Sequence, residues 1–253
     1  MRLDLVIVDI DDVFVYHRTV AAANQAFLRL VSGIAGEKLR DDFYTTKKAV
    51  FLLASLILSR FYRIKTDRRL GKVLRLGAVA IRLYLLHLWR EAVNRIFPVV
   101  SCRSMIRTWA DAAVRLQIAE RDYTIPERVL RKSIRRDAFS LYRSVAKRGL
   151  AISEHFAVHD DPMRRILGVE MMVSNRFIVR NGIISGHDII VADGGNKKRI
   201  ADEAIQRLRP KSVGVFISDY DDLGLLKIKN LRFVAYGRKL RRFIPRGIPA
   251  VQI

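Results

Sequence analysis

Residues 3–12 read Leu-Asp-Leu-Val-Ile-Val-Asp-Ile-Asp-Asp. An apolar run rich in β-branched residues breaks off into three carboxylates, Asp9, Asp11 and Asp12. A run without alternation suits a strand covered on both faces, the environment of a central strand in a parallel sheet. The carboxylates then stand at the C-terminal edge of that sheet, where open α/β sheets bind ligands. Clustered carboxylates repel unless a cation or a shared proton intervenes. Mg²⁺, a hard cation that takes oxygen ligands, is the natural counter-ion. Read alone, the segment is equally an ordinary strand with an acidic turn.

The texture changes after this segment. Residues 15–145 carry helical spacing, with helices expected over 21–31, 49–62, 70–97, 102–117 and 127–147. From Gly149 strands and helices alternate. Short apolar strands end at Ser153 and at Ser218-Asp219, helices are expected over 161–167 and 196–208, and Asn181-Gly182 marks a hairpin. Alternating strands and helices imply a parallel sheet, which the first strand must join. The expected fold class is therefore α/β, a Rossmann-like core with a parallel sheet. That core is discontinuous, over 1–14 and 146–253, with an all-helical domain inserted over 15–145.

Charge narrows the partners. The chain carries a formal net charge of +22. The insertion holds about 26 Lys/Arg against about 10 Asp/Glu, so most of the excess lies there. A field of this sign favours anions: a small phosphorylated substrate, an anionic membrane surface, or nucleic acid. The nucleic-acid reading rests on charge alone, with no aromatic-rich basic β motif or zinc pattern behind it. Cys102 is the single cysteine, which excludes an intrachain disulfide and a multi-cysteine zinc site and fits a reducing, cytoplasmic setting, peripheral to a membrane if the basic helices dock there. The longest uncharged run, residues 49–59, is shorter than a spanning helix needs.

Four features then stand in order. Asp9-Ile10-Asp11-Asp12-Val13 follows the first strand, and Ile152-Ser153 ends the second. Lys197-Lys198 opens a helix. Asp219, with Asp221 or Asp222, follows a later strand. This order resembles the haloacid dehalogenase superfamily of phosphohydrolases, and within it the phosphoserine-phosphatase-like branch. The resemblance covers residues 1–14 and roughly 146–245. Glu154 stands where the branch carries glycine. The resemblance implies an enzyme, a phosphatase acting on a phosphate monoester. Asp9 is its nucleophile, forming an aspartyl-phosphate, and Asp11 is its general acid and base. Ser153 and Lys197 hold the phosphoryl oxygens, with Lys198 the other choice of lysine. Mg²⁺ is held by Asp9, Asp11 through its carbonyl, Asp219, and Asp222 or Asp221. The insertion becomes a cap that closes over the site, its arginines available for a second anionic group. A phosphotransferase using the same chemistry, or a basic binding protein on a degenerate core, are the alternatives.

Several residues also have plainer readings. Ser153 suits a turn, the lysine pair suits a solvated helix start, and Asp221 and Asp222 suit a helix cap. His155, His159 and Asp160 match no metal spacing and read as a polar loop. The stripe Leu83, Leu86 and Trp89 reads as the insertion's own core.

Overall fold

The computed structural model describes residues 2–10, 13, 68–98, 100–123, 131, 134–157 and 161–253. Asp11, Asp12, His159, Asp160 and the helices expected over 21–31 and 49–62 lie outside the described residues.

Seven strands are described: β1 (Leu5–Asp9), β2 (Gly149–Ala157), β3 (Met171–Arg180), β4 (Ile183–Asp188), β5 (Val213–Ile217), β6 (Leu231–Tyr236) and β7 (Ala250–Gln252). They form one sheet in the order β4-β3-β2-β1-β5-β6-β7. β4 runs antiparallel to β3, and every other neighbouring pair is parallel. β1 is thus central, and all five of its residues are buried. Successive side chains of a strand point to opposite faces. Val6 and Val8 accordingly join Ala138, Tyr142 and Leu167 on one face. Leu5 and Ile7 join Ile200 and Ala201 on the other.

The helices supplying those partners are α4 (Arg136–Val145), α5 (Asp161–Leu167) and α6 (Gly194–Leu208); before them in the chain come α1 (Arg68–Asn94), α2 (Arg103–Arg115) and the short α3 (Glu120–Tyr123). Helices on both faces of a mostly parallel sheet make a doubly wound α/β fold. The connection between β3 and β4 puts Asn181 and Gly182 at φ 51° and 70°, as a two-residue turn of the hairpin hand requires.

Three elements differ from the sequence reading. The helix expected over 70–97 stops at Asn94, whose side chain turns back to bond both the N–H and the carbonyl of Val100, at 2.9 and 2.8 Å. The helix expected over 127–147 is interrupted: Arg131 is helical, Arg135 is extended, and α4 runs from Arg136. It also packs as a layer of the sheet, through Ala138 and Tyr142. β2 continues past Ser153 to Ala157, with its register against β3 shifting between Ser153 and Phe156. Such a bulge lets a strand carry polar residues such as Glu154 without breaking the sheet. Among the described residues no helix is long and apolar enough to cross a membrane.

Candidate active site

The C-terminal ends of β1, β2 and β5 converge at the centre of the sheet. Asp9 closes β1 and pairs in register with Ile152, so the fully buried Ser153 lies one residue further along the neighbouring strand. On the other side β5 delivers Ser218, whose hydroxyl donates to Asp9 Oδ2 at 3.2 Å. Lys197, in the first turn of α6, donates to Asp9 Oδ1 at 3.2 Å and to Asp222 Oδ1 at 2.5 Å. Glu154 Oε1 lies 3.3 Å from the same ammonium. Burial opposes the charge on Lys197, but Asp222, Asp9 and Glu154 outweigh it and hold its pKa well above the usual lysine value. Lys198 points elsewhere and pairs with Asp202 one turn along the helix. Consecutive helical positions lie about 100° apart, so only one of the two lysines can face the strand ends.

Two glycines allow this convergence. A side chain at Gly194 would put its Cβ 2.5 Å from the carbonyl oxygen of Asp221, and one at Gly224 would put it 2.8 Å from the carbonyl of Gly194. Without side chains there, the start of α6 and the 3₁₀ turn Tyr220–Lys227 approach closely enough for Lys197 to reach Asp222. The approach to α6 is further fixed by the buried Asn175, which donates to Glu154 O and Val191 O and accepts from the N–H groups of Ile190 and Val191. Asp193 then caps the helix by accepting from Asn196 N at 2.9 Å.

The 3₁₀ turn carries the remaining acids. Asp219 and Asp222 form a reciprocal capping box around its first residues. Asp222 Oδ2 accepts from the N–H groups of Ser218 and Asp219, both at 2.8 Å, while Oδ1 takes Lys197. The carboxylate of Asp222, expected as a metal ligand, is here bonded to the turn and to the lysine. Asp219 faces cations. Its Oδ1 lies 2.8 Å from Lys239 Nζ and its Oδ2 lies 3.1 Å from Arg90 Nη1.

Arg90 comes from α1, is 2% exposed, and also donates from Nη2 to Asp221 Oδ2 at 2.7 Å. The same oxygen accepts from Cys102 N at 3.2 Å. Burial and the Glu154 carboxylate push Asp221 up to about 7, against the pull of Arg90. Burial, Glu154 and Asp221 likewise push the Cys102 thiol well above its ordinary range, and that thiol donates to Glu154 Oε2. Sequence reasoning missed Arg90 as a site residue, together with Glu154, Lys239, Ser218 and Asn175. For Arg90 a signal existed: it is a charged residue in a largely apolar stretch, four residues before an asparagine.

The donors fit a hard divalent cation in kind, since Asp9 and Asp219 offer carboxylate oxygens from adjacent strands. Both oxygens of Asp219, however, hold a basic side chain in this arrangement. A divalent ion would reach Asp219 by displacing Arg90 or Lys239. Among the described residues, the thiol and carboxylate atoms that gather within 4.8 Å of one another are those of Cys102, Glu154 and Asp221.

Solved structures settle the fold. A phospho-aspartyl intermediate analogue of phosphoserine phosphatase superposes with a TM-score of 0.55 at 9% identity, over 99% of this chain and 94% of that one. The chain has the haloacid dehalogenase fold. A substrate-bound phosphoserine phosphatase complex matches with a TM-score of 0.53 at 10% identity, over 99% of this chain and 93% of that one. No family model and no curated protein matches the sequence. Of the four sequence features, Asp9 ends β1, Ser153 lies in β2, Lys197 lies in the first turn of α6, and Asp219 follows β5.

Proposed function

We propose that this haloacid dehalogenase-fold protein is a phosphatase that hydrolyses a phosphate monoester through an aspartyl-phosphate on Asp9. The observation that carries the reading is the Lys197 ammonium 3.2 Å from Asp9 Oδ1, with Ser153 on the adjacent strand one residue past the partner of Asp9. Phosphoryl transfer requires mainly positioning and neutralisation of charge on the equatorial oxygens. Lys197 supplies a fixed positive charge, and the buried Asp222 keeps it aimed at the nucleophile. Ser153 offers a hydroxyl donor from the other side.

In the first step an Asp9 carboxylate oxygen bonds to phosphorus while the bond to the substrate oxygen breaks. Asp11 gives the leaving oxygen its proton. In the second step Asp11 takes a proton from water, the water oxygen bonds to phosphorus, and the Asp9–phosphorus bond breaks to release inorganic phosphate. Mg²⁺, held by Asp9, Asp219 and the Asp11 carbonyl, would neutralise the charge of the phosphoryl group. The insertion over 15–145 supplies the cap, with α1 covering the strand ends and α4 packing on the sheet instead, and Arg90 or Lys239 must leave Asp219 for that ion to enter.

A second reading, a core that binds without turning over, is favoured by the pairing of Arg90 and Lys239 with Asp219. Hydrolysis of an aryl phosphate separates the two. The phosphatase reading requires turnover that depends on Mg²⁺, while absence of turnover at any Mg²⁺ concentration, in the wild type and in Arg90→Met alike, supports the binding reading.

A further inference from the structure

In its second half, helix α1 turns some polar residues inward and several large apolar ones outward. A helix packed on a protein normally turns apolar residues inward and polar ones outward. Here the buried positions of its second half include Arg90 at 2% exposure and Asn94 at 0%. The outward positions carry Leu85 at 59%, Leu88 at 46% and Trp89 at 57% exposure, and Ile96 and Phe97 just past the helix end reach 69% and 66%. Spacings of three and four put Leu85, Leu88 and Trp89 on one face, and Ile96 and Phe97 follow just past the helix end. The sequence stripe Leu83, Leu86 and Trp89 therefore divides: Leu83 is buried, whereas Trp89 faces out.

Basic groups border this row. Arg82 and Arg95 are exposed on the same stretch of chain, and Arg242 of the 3₁₀ segment Arg238–Phe243 donates to the carbonyl of Arg95. Arg241, the chain neighbour of Arg242, is exposed as well. The acid of α1, Glu91, turns away from the row to pair with Arg90 and Lys239.

We propose that the outer face of α1 docks on an anionic lipid bilayer. An exposed tryptophan among leucines, with arginines along the border, suits the headgroup boundary. Indole sits there by preference, and arginine stems lie along apolar surface while their heads meet lipid phosphates. The net charge of +22 draws the chain toward the same surface. A protein partner would match this face only if it carried acids in register with the border, whereas an anionic bilayer offers phosphates over its whole surface. Docked this way, α1 lies between the bilayer and the strand ends, with Arg90 on its inner side and Trp89 on its outer side.

The test uses the full chain with vesicles of phosphatidylcholine, with and without phosphatidylglycerol, read by co-sedimentation and tryptophan fluorescence. Trp109 is buried, so Trp89 reports the surface. The expected result is binding and a blue shift with the anionic vesicles only. Arg241→Gln with Arg242→Gln should weaken that binding about thirtyfold, and Leu88→Ser with Phe97→Ser should weaken it about tenfold or more, both without change in circular dichroism. Three results overturn the proposal. One is no binding to anionic vesicles at low salt. Another is binding indifferent to Leu88→Ser with Phe97→Ser, which reduces it to charge alone. The third is a Trp89 already shielded without vesicles, whether by a second copy seen as a dimer in solution or by another part of the chain.

Discussion

Replacing Arg90 with Met keeps an unbranched apolar stem in place and removes the guanidinium. That group bonds Asp219 at 3.1 Å, Asp221 at 2.7 Å and the carbonyl of Val100 at 3.2 Å, all at 2% exposure. Breaking a buried ion pair from one side costs about 3–5 kcal/mol, because the remaining charge is left without compensation. Two features place this case at the lower end, about 3 kcal/mol near pH 8. Asp219 keeps Lys239 and the N–H of Tyr220, and Asp221 keeps the N–H of Cys102. Asp221 can also take up a proton, since burial and Glu154 already push it up to about 7 with Arg90 present, and loss of the arginine raises it further.

A carboxyl whose folded pKa is raised stabilises the fold most below its unfolded value of 3.8, and that contribution disappears as pH rises through the folded value. The deficit of Arg90→Met should thus be larger near pH 8 than near pH 5. Urea unfolding at both pH values measures it. Excess MgCl₂ should recover part of the loss, because an ion bound only by the folded state stabilises it by mass action, and the arginine no longer competes for Asp219. A variant as stable as the wild type at both pH values, or a deficit larger near pH 5, would refute this reasoning.

Lys197→Ala should lower kcat by about a hundredfold or more, as loss of a transition-state charge contact does, while Lys198→Ala stays within about twofold; steady-state kinetics decides between them. Gly194→Ala forces a Cβ to within 2.5 Å of the Asp221 carbonyl and should cost about 2 kcal/mol in urea unfolding. Cys102 should react slowly with a disulfide reagent near pH 8 in the native protein and fast in denaturant, because burial and two carboxylates raise its thiol; fast native labelling would contradict its placement.

The sequence made the central strand legible because four consecutive apolar residues, Leu5 to Val8, running into Asp9 leave few alternatives. It made the Lys197 position legible only as one of two, since spacing shows that a helix begins but not which of two neighbours turns inward. The hairpin at Asn181-Gly182 was equally readable, because its turn demands positive φ at both positions. Arg90 carried only a weak signal, a charge within a largely apolar stretch. Its helix is apolar around much of its circumference, so periodicity fixes the element and leaves its orientation free. The reach of β2 past Ser153 was hidden as well, because a bulge carries Glu154 and its neighbour in a sequence that reads as a polar loop. Asp222 shows a further limit, since a carboxylate after a strand suits a metal ligand, a turn cap or a lysine partner, and the choice depends on which N–H groups the chain folds around it.

The measurement that bears most directly on the proposed chemistry is mass spectrometry of the protein quenched in acid during turnover of an aryl phosphate. The wild type should carry the mass of one phosphoryl group on the peptide containing Asp9, and Asp9→Asn should carry none and show no turnover. A phosphoryl group found on another residue, or undiminished turnover by Asp9→Asn, would contradict Asp9 as the nucleophile.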